Sequence, residues 1–138
     1  MDTGVIVAAI RSRTGASRRL LRLALQKRFD TLLSVPLMLE YEEVLKRREH
    51  LLAARASAAQ IEAIIDALAA VATPVETNFS WRPVLSDPDD EMVLEAAVNG
   101  GADLIVTFNV RHLRMVAHRF GVRTVTPSAA LALIESSI

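Results

Sequence analysis

The stretch from Asp87 to Asn109, DPDDEMVLEAAVNGGADLIVTFN, leaves this chain the fewest folding options. Asp87 offers a helix cap, Pro88 suits the first helical position, and Asp89, Asp90 and Glu91 fall in the first turn. Val93, Leu94, Ala97 and Val98 then recur at helical spacing until Gly100-Gly101 stops the helix. The short apolar run Leu104-Ile105-Val106 follows and ends in Thr107 and Asn109. Helix, tight stop and buried strand together make an α/β unit, with polar groups where the strand leaves the sheet.

The acids of that helix start have a purely structural explanation. Asp87 with Asp90 three residues on resembles a capping box, and carboxylates at a helix N-terminus interact favourably with its dipole, by roughly 0.3–1 kcal/mol each. Asp90 departs from this pattern. Val93, Leu94 and Ala97 lie at i+3, i+4 and i+7 from it, so its carboxylate sits at the edge of the core-facing stripe, where a lone charge is costly. An acid placed there calls for a partner, and a metal ion shared with other carboxylates would be one.

The length of 138 residues predicts one domain over 1–138, long enough to bury a core. Absence of cysteine excludes disulfides, thiolate zinc sites and a cysteine nucleophile. No apolar run reaches the length of a membrane span and no signal peptide is recognisable, so a soluble, cytoplasmic protein with no membrane partner is expected. Sixteen basic and sixteen acidic residues cancel, so net charge does not announce a nucleic-acid binder. Their distribution is uneven. Arg11, Arg13, Arg18, Arg19, Arg22, Lys27 and Arg28 crowd the first segment, while acids gather at Asp87–Glu95. The basic group, Arg11, Arg13 and Arg18 foremost, could hold an RNA backbone; a solvated helix face explains the same arginines.

Taken in order, Val5–Ile10 is a run that fits either a buried strand or a helix. Leu20, Leu21, Ala24 and Leu25 mark a helix over 16–27, Thr31–Ser34 a short strand, and Pro36 opens a helix with Leu37, Tyr41, Val44 and Leu45 on one face. Glu42 and Glu43 have Lys46 and Arg47 four residues on, the spacing of surface pairs. Glu40 has no such partner and faces the apolar side. Ser57 with Gln60 predicts a capping box for a helix carrying Ile61, Ile64, Ile65 and Leu68. The stripes of 16–27 and 57–72 serve either the core or a homodimer surface. Thr73–Val75 reads as a brief strand, and Trp81 in the following loop as a packing anchor. Val110–Phe120 reads as a mixed linker with some helical character, Val122–Val125 as a last strand, and Pro127 as the start of a terminal helix. An open, mostly parallel sheet with helices on both faces fits this order.

In such sheets the functional crevice lies beyond the carboxyl ends of the strands. Asp2, Asp90 and the Thr107–Asn109 turn lie near such ends, and Glu40 is one turn into the helix after a strand. Converging acids without matching bases suit a hard cation, Mg²⁺ or Mn²⁺, which binds phosphate oxygens and activates water in phosphodiester hydrolysis.

Asp2-Thr3 before an apolar run resembles the opening Asp-Thr-Asn-Val of PIN-domain ribonucleases. Pro36–Leu45 resembles the helix bearing that family's second acid. Asp87-Pro88-Asp89-Asp90, Gly100–Asp103 and Ile105–Asn109 resemble its third-acid segment and following strand, and Thr126-Pro127 fits its closing helix. The likeness covers nearly the whole chain and is greatest to the VapC-related toxins of bacterial and archaeal toxin–antitoxin modules. It implies a three-layer α/β/α fold with a short, mostly parallel sheet of about five strands. It further implies an Mg²⁺- or Mn²⁺-dependent endoribonuclease, dimerisation, and inhibition by a small antitoxin protein. Carried over by position, the catalytic and metal-holding acids are Asp2, Glu40 and Asp90, with Asp87 beside the metal and Thr3, Thr107, Asn109 and His112 in support. Three departures stand out: Gly4 where asparagine is usual, His112 near the place of a fourth acid, and a truncated first strand. They favour a second reading, a PIN-fold RNA- or protein-binding module with impaired catalysis.

Overall fold

The computed structural model describes residues 1–76 and 83–137, so the reading of Trp81 lies outside the described residues. The chain opens with helix α1 (Thr3–Arg11), which resolves the ambiguity of Val5–Ile10: Val5, Ile6, Ala9 and Ile10 are buried at helical, not alternating, spacing. Helix α2 (Ala16–Leu25) packs against it, burying Leu20, Leu21, Leu23 and Ala24. Strand β1 (Leu32–Ser34) leads into α3 (Val35–Leu45), whose first turn is capped by the Ser34 hydroxyl accepting from the Leu37 amide at 3.2 Å.

Helix α4 (Arg48–Ala54) buries none of its residues, so no apolar stripe announces it in sequence. Helix α5 (Ala58–Val71) begins with the reciprocal Ser57–Gln60 box and directs Ile61, Ile65 and Leu68 into the core. The dimer-prone stripes of α2 and α5 are thus largely covered by the chain itself. Strand β2 (Thr73–Val75) follows, then α6 (Pro88–Gly100), β3 (Leu104–Val106), α7 (Val110–Arg119), β4 (Arg123–Val125) and α8 (Pro127–Ser137). What reads as a mixed linker over 110–120 is a regular helix; it buries only Leu113 and Ala117, too few to set a clear period.

The sheet corrects the expected count. Among the described residues, β1 pairs in parallel with β2 and β3 in parallel with β4, as two separate two-stranded sheets, not one sheet of about five strands. The parallel sense is as expected. Every strand is three residues long, and Met1-Asp2 adds one ladder-like bond, Asp2 N–H to the Val106 carbonyl at 2.9 Å. One such bond does not make a strand. A cavity of about 370 Å³, lined by Met1, Leu32, Val93 and Leu104–Val106 among others, lies between the two pairs.

Gly100 and Gly101 end α6 for two different reasons. A Cβ on Gly100 would come within 2.5 Å of Leu32 Cδ1 and 2.9 Å of Val75 Cγ2, so a glycine lets α6 close on the β1–β2 pair. Gly101 has φ +67°, the left-handed turn that releases the chain toward β3. No helix among the described residues is long and apolar enough to cross a membrane.

Candidate active site

The site forms where β3 ends, α1 begins and α6 begins. Asp2 is the N-cap residue of α1, yet its side chain makes no capping bond. Its carboxylate instead accepts from the Thr107 hydroxyl at 2.6 Å, and Thr107 Oγ1 accepts the Asn109 amide at 2.9 Å. Thr107 is fully buried and Asp2 is 7% exposed. This relay from the end of β3 fixes the first acid without a full strand beneath it. Tyr41 adds a second restraint, its buried hydroxyl donating to the Met1 carbonyl. Burial raises the Tyr41 pKa, which keeps the phenol protonated as a donor, and burial lowers that of the adjacent Met1 α-ammonium.

Asp90 is 6% exposed and takes no part in a capping box, contrary to the pattern it shares with Asp87. Asp87 caps alone, its side chain accepting from the Asp89 amide at 2.9 Å. The buried carboxylate of Glu91 accepts from the amides of Val84 and Leu85, closing the loop before α6. Asp90 is therefore left facing other charges. Burial raises its pKa first, then the neighbouring Asp87 and Asp2, while His112 pulls it back and Asp89 adds a further push. Asp2, Asp87 and His112 thus lie within electrostatic reach of Asp90.

Glu40 joins this group indirectly. Half-buried on α3, its pKa is raised by burial and then by the nearby Asp89 carboxylate; Glu43 adds to the rise and Arg47 opposes it. Asp89 is thus the residue that sequence reasoning missed: exposed and off the apolar stripe that marks Asp90, it reads as a plain helix-start acid, and only the approach of α3 to α6 brings it near Glu40. Of the arginines expected to bind RNA, Arg11 and Arg18 make contacts of their own. Arg11 ends α1, about 13.5 Å of helical rise from Asp2. It contacts His50 at 3.4 Å, and the Arg18 guanidinium donates to the Ala9 carbonyl at 3.1 Å. Asn109 is exposed at the start of α7, and among the described residues the buried Thr3 hydroxyl has no hydrogen-bond partner.

The family model of the PIN domain matches residues 1–111, which span α1 to the start of α7 and every acid just described. The chain belongs to the PIN-domain family. No curated protein and no solved structure matches it. PIN domains are generally nucleases and typically use divalent metals, which makes the donor set the relevant test. In kind it fits a hard cation: Asp2 and Asp90 offer buried carboxylate oxygens, and among the described residues neither is in an ion pair with a side chain and Thr3 Oγ1 has no hydrogen-bond partner. In number it is sparse. Among the described residues, no three His, Cys, Asp or Glu side chains are gathered closely enough to hold an ion. The arrangement in this PIN domain is a pair of carboxylates with further acids at its rim.

Proposed function

We propose that this PIN domain is an Mg²⁺- or Mn²⁺-dependent endoribonuclease, the toxin component of a toxin–antitoxin pair held in check by a small antitoxin protein. The observation that carries the catalytic reading is the electrostatic reach between Asp2 and Asp90, two buried carboxylates with no cation paired to either side chain among the described residues. Burying like charges together without compensation is unfavourable, and such sites in proteins are commonly functional. A divalent ion, when bound, would polarise a phosphate oxygen and lower the pKa of a water. Asp2 and Asp90 would hold it, with Glu40 and Asp87 at the rim. Thr107 would keep one Asp2 oxygen fixed and leave the other free. His112, close enough to influence Asp90, can donate to a phosphate oxygen when protonated. The toxin role and a homodimeric state are supported by the likeness of Asp2-Thr3, Pro36–Leu45 and Asp87–Asn109 to the toxin branch.

The sparse donor set favours a second reading, a PIN-fold module that binds RNA or protein without turnover. Cleavage of a labelled RNA with Mn²⁺, with Mg²⁺ and with EDTA distinguishes the two. The nuclease reading expects metal-dependent cleavage that falls at least about a hundredfold in Asp90→Asn. RNA binding without cleavage in either metal would leave the binding module.

A further inference from the structure

We propose that the outer face of α7, with Arg111 and Arg114 at its centre and Phe108 at its entrance, is the track along which single-stranded RNA reaches the Asp2–Asp90 site. The substrate class rests on the nuclease reading above; the placement rests on this face.

Helix α7 contains no acid. Its charged and titratable residues are Arg111, His112, Arg114, His118 and Arg119, all exposed. Leu113 and Ala117 anchor the opposite side in the core, so Arg111, Arg114 and His118, at i, i+3 and i+7, share the face turned to solvent. Arg123, exposed at the start of the adjoining β4, extends it. Among the described residues none of these four arginines forms an ion pair. Unpaired arginines also occur on the first two helices, Arg13 and Arg22 among them, while Arg19, Arg47 and Lys46 are paired with Glu135, Glu43 and Glu42; what sets α7 apart is that its basic face begins at the turn that holds Asp2.

The face is continuous with the site through the backbone. Thr107, which bonds Asp2, is followed by Phe108, 57% exposed, then by Asn109, the N-cap of α7. The first turn of α7 also places His112 where its charge reaches Asp90. Met115, on the same face, is 73% exposed. Arginines with no acid to answer, beside an exposed aromatic ring, match a flexible polyanion carrying π-faces, and single-stranded RNA is that polymer. Arg111 and Arg114 are separated by about 4.5 Å of helical rise, so their long side chains can reach neighbouring phosphates of one strand.

Fluorescence anisotropy with a labelled oligouridine RNA in EDTA, over a series of salt concentrations, tests the track without cleavage. Arg111→Gln/Arg114→Gln should weaken binding about tenfold or more and reduce the log–log salt slope by about 1.4, the value for two lost contacts to a single strand. Phe108→Ala should weaken binding about tenfold with the slope unchanged, and Phe108→Tyr should restore it. Arg11→Gln/Arg13→Gln should behave as the parent. The inference is overturned if the Arg111/Arg114 variant keeps parental affinity and slope, or if the Arg11/Arg13 variant loses as much. It is also overturned if polyglutamate binds as tightly as RNA and suffers the same loss. Binding along α7 by a protein that never cleaves RNA would remove the nuclease reading and leave the track in place.

Discussion

Helix α3 carries two kinds of glutamate within four residues, and they behave differently. Glu42 and Glu43 face outward, where Lys46 and Arg47 wait one turn on; Lys46 also reaches Glu62. Glu40 lies instead within the electrostatic reach of Asp89, another acid, just as Asp90 lies within that of Asp2. The first arrangement is solvated and self-compensated. The second keeps like charges together at a cost to the folded state. Residue type is the same in both; what differs is whether local spacing or tertiary packing selects the neighbour.

The sharpest way to break this contrast is through activity. Asp90→Asn should lower metal-dependent RNA cleavage at least about a hundredfold, whereas Glu43→Gln should leave it unchanged. Equal behaviour of the two in a single-turnover assay would end the distinction. Next in size is Thr107→Val, which keeps shape but removes the donor to Asp2 and the acceptor of Asn109 N–H. A loss of about 1–3 kcal/mol in denaturant unfolding is expected, with activity down about tenfold. A neutral result would mean that the β3 relay does not position Asp2.

A smaller effect of opposite sign follows from the repulsion itself. Burial, Asp87 and Asp2 raise the Asp90 pKa in the folded protein above its unfolded value. Ionised Asp90 therefore destabilises the metal-free fold above the unfolded pKa, and that penalty fades as pH falls through the raised folded one. In EDTA, Asp90→Asn should melt higher near neutral pH, by about 1 kcal/mol or less, and the gain should shrink as the pH falls through the raised pKa. With Mn²⁺ the order should reverse, because only the parent keeps both carboxylates. A variant that melts lower in EDTA would make Asp90 a simple helix-start acid. Smallest of all, Glu43→Gln removes an exposed pair with Arg47 and should shift the melting temperature by no resolvable amount.

What was legible in the sequence is local. The Ser57–Gln60 box, Pro88 at the start of α6 and the Gly100-Gly101 stop each depend on neighbours within four residues, and each is found in place. Helices α4 and α7 escape because one buries nothing and the other only two side chains. Sheet extent is hidden for a related reason: three residues are too few to show a period, and pairing is decided by distant segments. At the site, Asp2, Asp90 and Thr107 stand out as polar groups at the ends of apolar runs. The Asp89–Glu40 approach and the Tyr41 hold on Met1 do not, since each links elements far apart in the chain.

The gap between the two strand pairs has a dynamic consequence. Because Thr31 accepts from β2 and Thr107 donates to β4, alternation turns the peptide groups of Leu32 and Leu104 toward the gap. Their amides should exchange with deuterium faster than those of Leu33 and Ile105, which face a paired neighbour. Among the described residues, no continuous ladder joins the half of the molecule that leads into Glu40 to the half that holds Asp2. The separation of these acids is set instead by the packing of α3 against α1 and α6 and by the Tyr41 bond to Met1, a softer coupling than a shared ladder.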